Sequence, residues 1–213
     1  MSKLFTLAVV GAAATSGIAL FDALHHGLTG RYSVFSTDTE LPAVAFAGSL
    51  VHGFTYTALG AVLLVQSKAS DGGPAYRWLC RLLCAVFAVL AAVCLVGEPI
   101  RIATGFSIDT NPVGAVIGNL TFLLMFAFGF ALGLTLLRRP ERRPSATLLI
   151  AVGPVLALTV VGGALGSDFA HPAYAETLIN FGVALLALPN RVARPDNSAA
   201  VVESAAAEPH PSR

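Results

Sequence analysis

Charged residues are scarce in this sequence. They make up 12% of its 213 residues, whereas a soluble domain has about 25%. The sequence has only two lysines, Lys3 and Lys68. Hydrophobic residues, by contrast, make up 55% of the chain. This composition excludes an ordinary soluble domain. The formal net charge of +1 gives no basic field for nucleic acid.

Common catalytic and redox motifs are missing as well. The three cysteines, Cys80, Cys84 and Cys94, form no CxxC pair, so we interpret them as small buried hydrophobic residues. HExxH, HxxxH, GxGxxG, the Walker motif and a GxSG serine motif are all absent. The sequence therefore implies no cofactor clearly and assigns no catalytic residue.

Long apolar runs, by contrast, recur along almost the whole chain. About 20 apolar residues in a helix span the ~30 Å hydrocarbon core of a bilayer. The sequence therefore predicts an all-α, polytopic integral membrane protein, a bundle of six transmembrane helices within residues 1–190. The predicted spans are residues 4–24, 43–65, 78–96, 112–137, 146–165 and 173–188.

The ends of these spans carry further predictions. The first apolar run continues past Ala12 and is too long for the core of a typical secretory signal, so we interpret it as an uncleaved helix. Gly97, Glu98 and Pro99 are expected to end the third span, because the residue before a proline avoids the helical region. Residues 191–213 are rich in Ala, Pro, Ser and Glu without periodicity, which predicts a disordered cytoplasmic tail.

Basic residues predict the orientation. If six spans alternate in direction, 11 of the 13 Lys and Arg residues fall on the side that holds both termini, and Arg31 and Arg101 fall on the other. Lys and Arg accumulate on the cytoplasmic side, so both termini are expected in the cytoplasm. The arginines of residues 138–143 serve as a topology signal or contact anionic lipid. The preference for Arg over Lys favours a bacterial protein, and hence its plasma membrane.

Polar residues inside the predicted spans indicate an outward-facing pocket. His52 lies beside a stripe of small residues in the second span, which favours close packing of helices. A histidine that faces lipid is unfavourable, so His52 is expected to face the bundle and to bond a neighbouring helix. Glu98 and Arg101 line the pocket or form a plain i, i+3 ion pair. The predicted pocket residues are His52, Tyr56, Asn119, Asn180, Glu98 and Arg101.

Histidines near the outer ends of the spans leave a metal site open as an alternative. Asp22 lies three and four positions before His25 and His26, so the three side chains share one helix face. A set of histidines with a carboxylate is typical of zinc. The predicted metal ligands are Asp22, His25, His26, His52 and His171. A haem group bound by two facing histidines is a further hypothesis. Of the five histidines, His52 is the one predicted to lie well inside the hydrocarbon core.

We therefore expect a non-enzymatic protein that binds or moves a small solute, a proton or a lipid through this pocket. A metal-dependent membrane hydrolase that uses the outer His and Asp residues remains open, as does an assembly subunit without a site. The expected partners are the bilayer and a second copy of the chain. Contact between copies is predicted through two GxxxG pairs of the fourth span, which favour close helix packing: Gly114, Gly118, Gly129 and Gly133.

Overall fold

The structure, a computed structural model, describes residues 2–36, 41–68, 73–105 and 112–188. Most of these residues are helical, and none of them lies in a β-strand. The helices are α1 (Lys3–Thr29), α2 (Pro42–Ser67), α3 (Pro74–Ala92), α4 (Glu98–Thr104), α5 (Pro112–Leu136), α6 (Arg143–Ala164) and α7 (Ala173–Ala184). A π-helical turn, Val93–Gly97, joins α3 to α4, and 3₁₀ turns stand at Pro140–Arg142 and Leu185–Ala187. The predicted disordered tail lies outside the described residues.

Five helical stretches are long and apolar enough to cross a membrane. They are Lys3–Thr29, Pro42–Ser67, Pro74–Thr104, Pro112–Leu136 and Pro140–Ala164. The chain is therefore a multi-pass helical membrane protein, which confirms the predicted fold class. A sixth stretch, Ala173–Ala187, is apolar but shorter, and at 1.5 Å per residue it extends for about 22 Å.

The short helix α7 is nevertheless tied to both ends of the bundle. At the end that we call the histidine end, Nδ1 of His26 in α1 lies 3.0 Å from the carbonyl of Asp168, in the turn before α7. At the opposite end, the arginine end, Gln66 of α2 donates from Nε2 to the carbonyl of Leu186 at 2.8 Å. The predicted sixth span therefore contacts α1 through the turn before it and α2 through the turn after it.

Arg142 fixes the last turn of this helix at the arginine end. Its side chain is 8% exposed, and Nη1 donates to the carbonyls of Leu186 at 2.6 Å and Leu188 at 3.2 Å. The last carbonyls of a helix have no partner within the helix, and a cation near them is also favourable for the helix dipole. Arg142, one of the four arginines in residues 138–143, is therefore buried and caps the C-terminal turn that follows α7.

The prediction that Gly97–Pro99 ends the third span is wrong. The helix passes Pro99 through the π-helical turn and ends at Thr104. The N–H of Glu98 donates to the carbonyl of Val93, five positions earlier, so it does not pair with the carbonyl of Cys94. The hydroxyl of Ser49 in α2 donates to that carbonyl at 2.5 Å. A neighbouring helix thus satisfies the backbone group that the proline region releases, which lets the helix continue.

Close packing of α5 depends on its second pair of glycines. A Cβ atom at Gly133 would lie 2.8 Å from Cβ of Leu149 in α6, and one at Gly129 would lie 3.2 Å from Cδ1 of Ile179 in α7. The predicted close packing is confirmed for these two positions, within one chain. A Cβ at Gly118 would meet no atom of another described helix within 4 Å. Contact between copies of the chain stays a prediction.

Candidate functional site

A buried carboxyl group lies between α2 and α7. The hydroxyl of Tyr56 donates to Oε1 of Glu176 at 2.7 Å. Tyr56 is 3% exposed and Glu176 is 7% exposed. The salt bridge found among the described residues involves Arg101 and Glu98, so no basic side chain in that part of the chain pairs with Glu176.

This pair lies deep in the bundle. Tyr56 is about 16 Å from Ser67, the last residue of α2, at 1.5 Å per residue. Glu176 is likewise about 16 Å from Ala187, where the 3₁₀ turn after α7 ends. Tyr56 therefore lies near the middle of α2, and Glu176, in the first turn of α7, meets it there.

Buried polar groups without a partner lie on α7, the helix that carries this carboxyl, and on its neighbour α1. Among the described residues, the buried side-chain oxygen and nitrogen atoms that have no hydrogen-bond partner belong to Ser16, Thr177 and Asn180. Both the oxygen and the nitrogen of the Asn180 amide are unpaired, and the residue is fully buried. Most buried polar groups in proteins are hydrogen-bonded, so three such side chains on two helices mark this region.

The contacts of α7 with three helices show which face it presents to α1. Gly182 packs on α6, Ile179 on α5 and Glu176 on α2, in that rotational order. At 100° per residue, Asn180 and Thr177 follow Glu176 by about 40° and 100°. The neighbour that remains in this direction is α1, which packs against α7. Asn180 and Thr177 therefore face α1.

The contacts of α1 place Ser16 on the facing surface. Thr15 donates its hydroxyl to Thr55 of α2 at 2.8 Å, while Gly27 meets Phe169 in the turn before α7. Ser16 is rotated from Thr15 by about 100°, toward the side of Gly27. We call the resulting group the carboxyl site; its members are Ser16, Tyr56, Glu176, Thr177 and Asn180.

Aromatic and histidine side chains pack above this site at the histidine end. The ring of Tyr32 stacks on His26 with centroids 4.3 Å apart, and it meets His171 edge to face at 6.4 Å. Nδ1 of His171 accepts a hydrogen bond from the N–H of Ala173 at 3.2 Å. His171 thus supplies an acceptor for the first turn of α7, whose N–H groups have no helical partner.

The His171 imidazole lies within electrostatic reach of the carboxyl site. Burial lowers the pKa of His171 below its usual value of 6.5; Asp22 raises that pKa, His26 lowers it and Glu176 raises it. Desolvation disfavours the charged imidazole, whereas the two carboxylates favour it. His171 is therefore a titratable group of the histidine end that Glu176 influences electrostatically.

The other predicted pocket residues lie apart from this group or are paired elsewhere. His52 is half-buried, and its Nδ1 lies 2.9 Å from the carbonyl of Gly48 in its own helix. Among the described residues, no hydrogen bond from His52 to another helix is found. Its ring meets Tyr56 at 6.1 Å. Asn119 is exposed on α5. Glu98 and Arg101 form the i, i+3 ion pair through two contacts of 2.5 and 2.8 Å.

The predicted metal ligands each contact the protein backbone. Oδ1 of Asp22 accepts the N–H of Ser33 at 2.7 Å, and Nδ1 of His25 lies 2.8 Å from the carbonyl of Arg31. These bonds hold the segment that follows α1. In the part of the chain that the structure describes, no three His, Cys, Asp or Glu side chains are grouped as a metal ion would require.

No protein-family model, curated protein or solved structure matches this chain. The pocket predicted from the sequence includes Tyr56 and Asn180 but not Glu176, which stands at the start of the predicted sixth span. The signal was present in the i, i+4 spacing of Glu176 and Asn180, which puts a carboxyl and an amide on one helix face.

Proposed function

We propose that this protein binds a small solute or a proton at the carboxyl site and moves it across the membrane by way of the histidine end. The hydrogen bond between Tyr56 and Glu176 carries the proposal. An ionisable side chain in a membrane-spanning bundle is costly to bury and commonly marks an ion or substrate pathway. Here the carboxyl has a hydroxyl partner and no basic partner among the described residues.

The route to the site leads from the histidine end. His171 lies in the turn before α7 and interacts electrostatically with both Asp22 and Glu176. A group that titrates near neutral pH can exchange protons with water. We propose that this end faces the outside of a bacterial plasma membrane and that both termini are cytoplasmic. The 11 basic residues on the side of the termini support that orientation.

Proton movement is tested with purified protein in lipid vesicles. The vesicles hold a pH-sensitive dye, and a potassium gradient with valinomycin makes their interior negative. We expect the interior to acidify faster than in protein-free vesicles, and Glu176→Gln to remove this difference. Gln keeps an oxygen that accepts the Tyr56 hydroxyl, so the variant should still fold.

Glu141→Gln is the matched control, because Glu141 is exposed in the 3₁₀ turn at the arginine end. It should acidify the vesicles at the wild-type rate. Wild-type rates equal to those of protein-free vesicles would contradict proton movement. Equal loss in the Glu141 variant would mean that the carboxyl site is not the group responsible.

A further inference from the structure

We infer that the carboxyl site takes a small monovalent cation such as Na⁺, with the Glu176 carboxylate as its charged ligand. This inference rests on the proposed function, since it names the ligand class of the same site. It goes beyond that proposal in assigning Asn180, Ser16 and Thr177 as neutral ligands from two helices.

The charge of the site selects the charge of the ligand. Glu176 is buried and lacks a basic partner among the described residues. An isolated charge in a low-dielectric interior is strongly disfavoured, so a bound ligand of charge +1 restores neutrality. A divalent cation would leave one uncompensated positive charge in the same place. A proton neutralises the carboxylate equally well, which makes it the natural competitor.

The neutral side chains supply the kind of atom that such a cation needs. Ser16 and Thr177 have unpaired hydroxyl oxygens, and Asn180 has an unpaired amide oxygen. Hard cations are bound by carboxylate, amide and other oxygen ligands, and membrane transporters bind Na⁺ near the bilayer midplane. Ser16 approaches from α1, whereas Thr177 and Asn180 face it from α7.

Thr177 differs from other threonines in the helices. Thr55, Thr57 and Thr159 each donate their hydroxyl to the carbonyl four positions earlier, which is the usual partner for a threonine in a helix. The hydroxyl of Thr177 has no such partner, although its oxygen is buried. Its orientation leaves the oxygen available to a ligand between α1 and α7.

The test measures thermal unfolding of the purified full-length protein in detergent, with NaCl replacing choline chloride at constant ionic strength. A ligand that binds the folded state raises the melting temperature, Tm. We expect Na⁺ to raise Tm by a saturating amount of at least about 2–4 °C, and Glu176→Gln to abolish this shift. No shift in wild type, an unchanged shift in Glu176→Gln, or a larger one in MgCl₂ at the same ionic strength would overturn the inference.

Substitutions of the neutral ligands separate binding from a structural role. Asn180→Leu and Thr177→Val remove groups that bond nothing in the described residues, so neither should lower Tm in choline chloride. Both should reduce the Na⁺ shift by half or more. Thr147→Val, at an exposed position of α6, is the matched control and should keep the full shift. A full shift in both Asn180→Leu and Thr177→Val would overturn the assignment of these ligands.

Failure of this inference can be told apart from failure of the proposed function. If Na⁺ does not shift Tm while proton movement depends on Glu176, the cation assignment is wrong and the proposed function stands. If neither effect is found, both are wrong. A Na⁺ shift that depends on Glu176 supports the inference whatever the vesicles show.

Discussion

Tyr56 and Glu176 are 120 positions apart in the sequence, yet the hydroxyl of Tyr56 donates to the carboxyl of Glu176 at 2.7 Å. The bond joins the second helix to the last one near the middle of the bundle. The ring of Tyr56 also stacks on Phe87 of α3 with centroids 5.7 Å apart. A single tyrosine thus holds a buried carboxyl in a fixed position against three helices.

Tyr56→Phe should lower stability, because it removes the donor and leaves the ring in place. A hydrogen bond between membrane helices is worth about 0.6 kcal/mol on average and up to about 2 kcal/mol. Thermal unfolding in detergent measures the loss. Tyr32→Phe is the matched control, since Tyr32 is exposed and its ring can still stack on His26. Equal Tm values for wild type and Tyr56→Phe would show that the bond contributes nothing.

Gly133→Ala should destabilise the protein, whereas Gly118→Ala should not. The added Cβ at Gly133 would lie 2.8 Å from Cβ of Leu149 and 3.0 Å from the backbone N of Ile150, and such overpacking costs about 1–3 kcal/mol. At Gly118 the same atom meets no atom of another described helix within 4 Å. The two glycines of α5 are therefore not equivalent, although sequence alone gives them the same role. Melting curves that shift equally for both variants would contradict this packing.

Stability should fall as the pH drops below about 6.5, in part because of His171. Burial lowers the pKa of this histidine in the folded protein, so the unfolded chain binds more protons between the folded-state pKa and 6.5. The contribution is present above pH 6.5 and is lost as the pH falls through the folded-state value. Protonation also removes the acceptor of the Ala173 N–H and places a positive charge at a helix N-terminus.

His171→Asn isolates this effect. An asparagine side chain can accept the N–H two positions later, as in an Asx turn, but does not titrate. Unfolding measured from pH 8 to pH 5 should fall less steeply for the variant than for the wild type. Parallel curves would assign the acid sensitivity to other groups.

Arg142→Gln should be strongly destabilising, while Arg143→Gln should be nearly silent. Arg142 is buried and donates to two carbonyls at the end of α7, and a hydrogen bond from a charged group contributes about 1.5–3 kcal/mol. Arg143 is exposed at the start of α6. Limited proteolysis near residue 188 offers a second readout, since loss of the cap should release the end of α7. Similar melting of both variants would argue against a capping role.

Topology is tested with reporter fusions along the chain. Fusions after Lys68, Arg143 and Arg194 should report the cytoplasm, and fusions after Ser36 and Asn111 the outside, because basic residues are retained on the cytoplasmic side. An external signal at Arg143 would overturn the arrangement. An external signal at Arg194 alone would mean that α7 does not complete a crossing.

Much of the fold could be predicted because bilayer thickness sets the length of an apolar run. The predicted spans 43–65 and 112–137 differ from α2 and α5 by at most two residues at either end. The glycines of α5 and two residues of the carboxyl site, Tyr56 and Asn180, could be predicted in the same way, as positions on a helix face. Helical periodicity does not determine which other helix packs against a given face.

The sequence by itself determined the class of this protein, its helices and the polar residues within them, because hydrophobicity and helical periodicity are local properties. The tertiary structure decided three things that depend on neighbours. Ser49 lets a helix continue past Pro99, His52 bonds its own helix, and α7 carries Glu176 to the level of Tyr56. In each case the outcome depends on which side chain of another helix reaches a backbone or polar group, and that distance is fixed only when the helices pack.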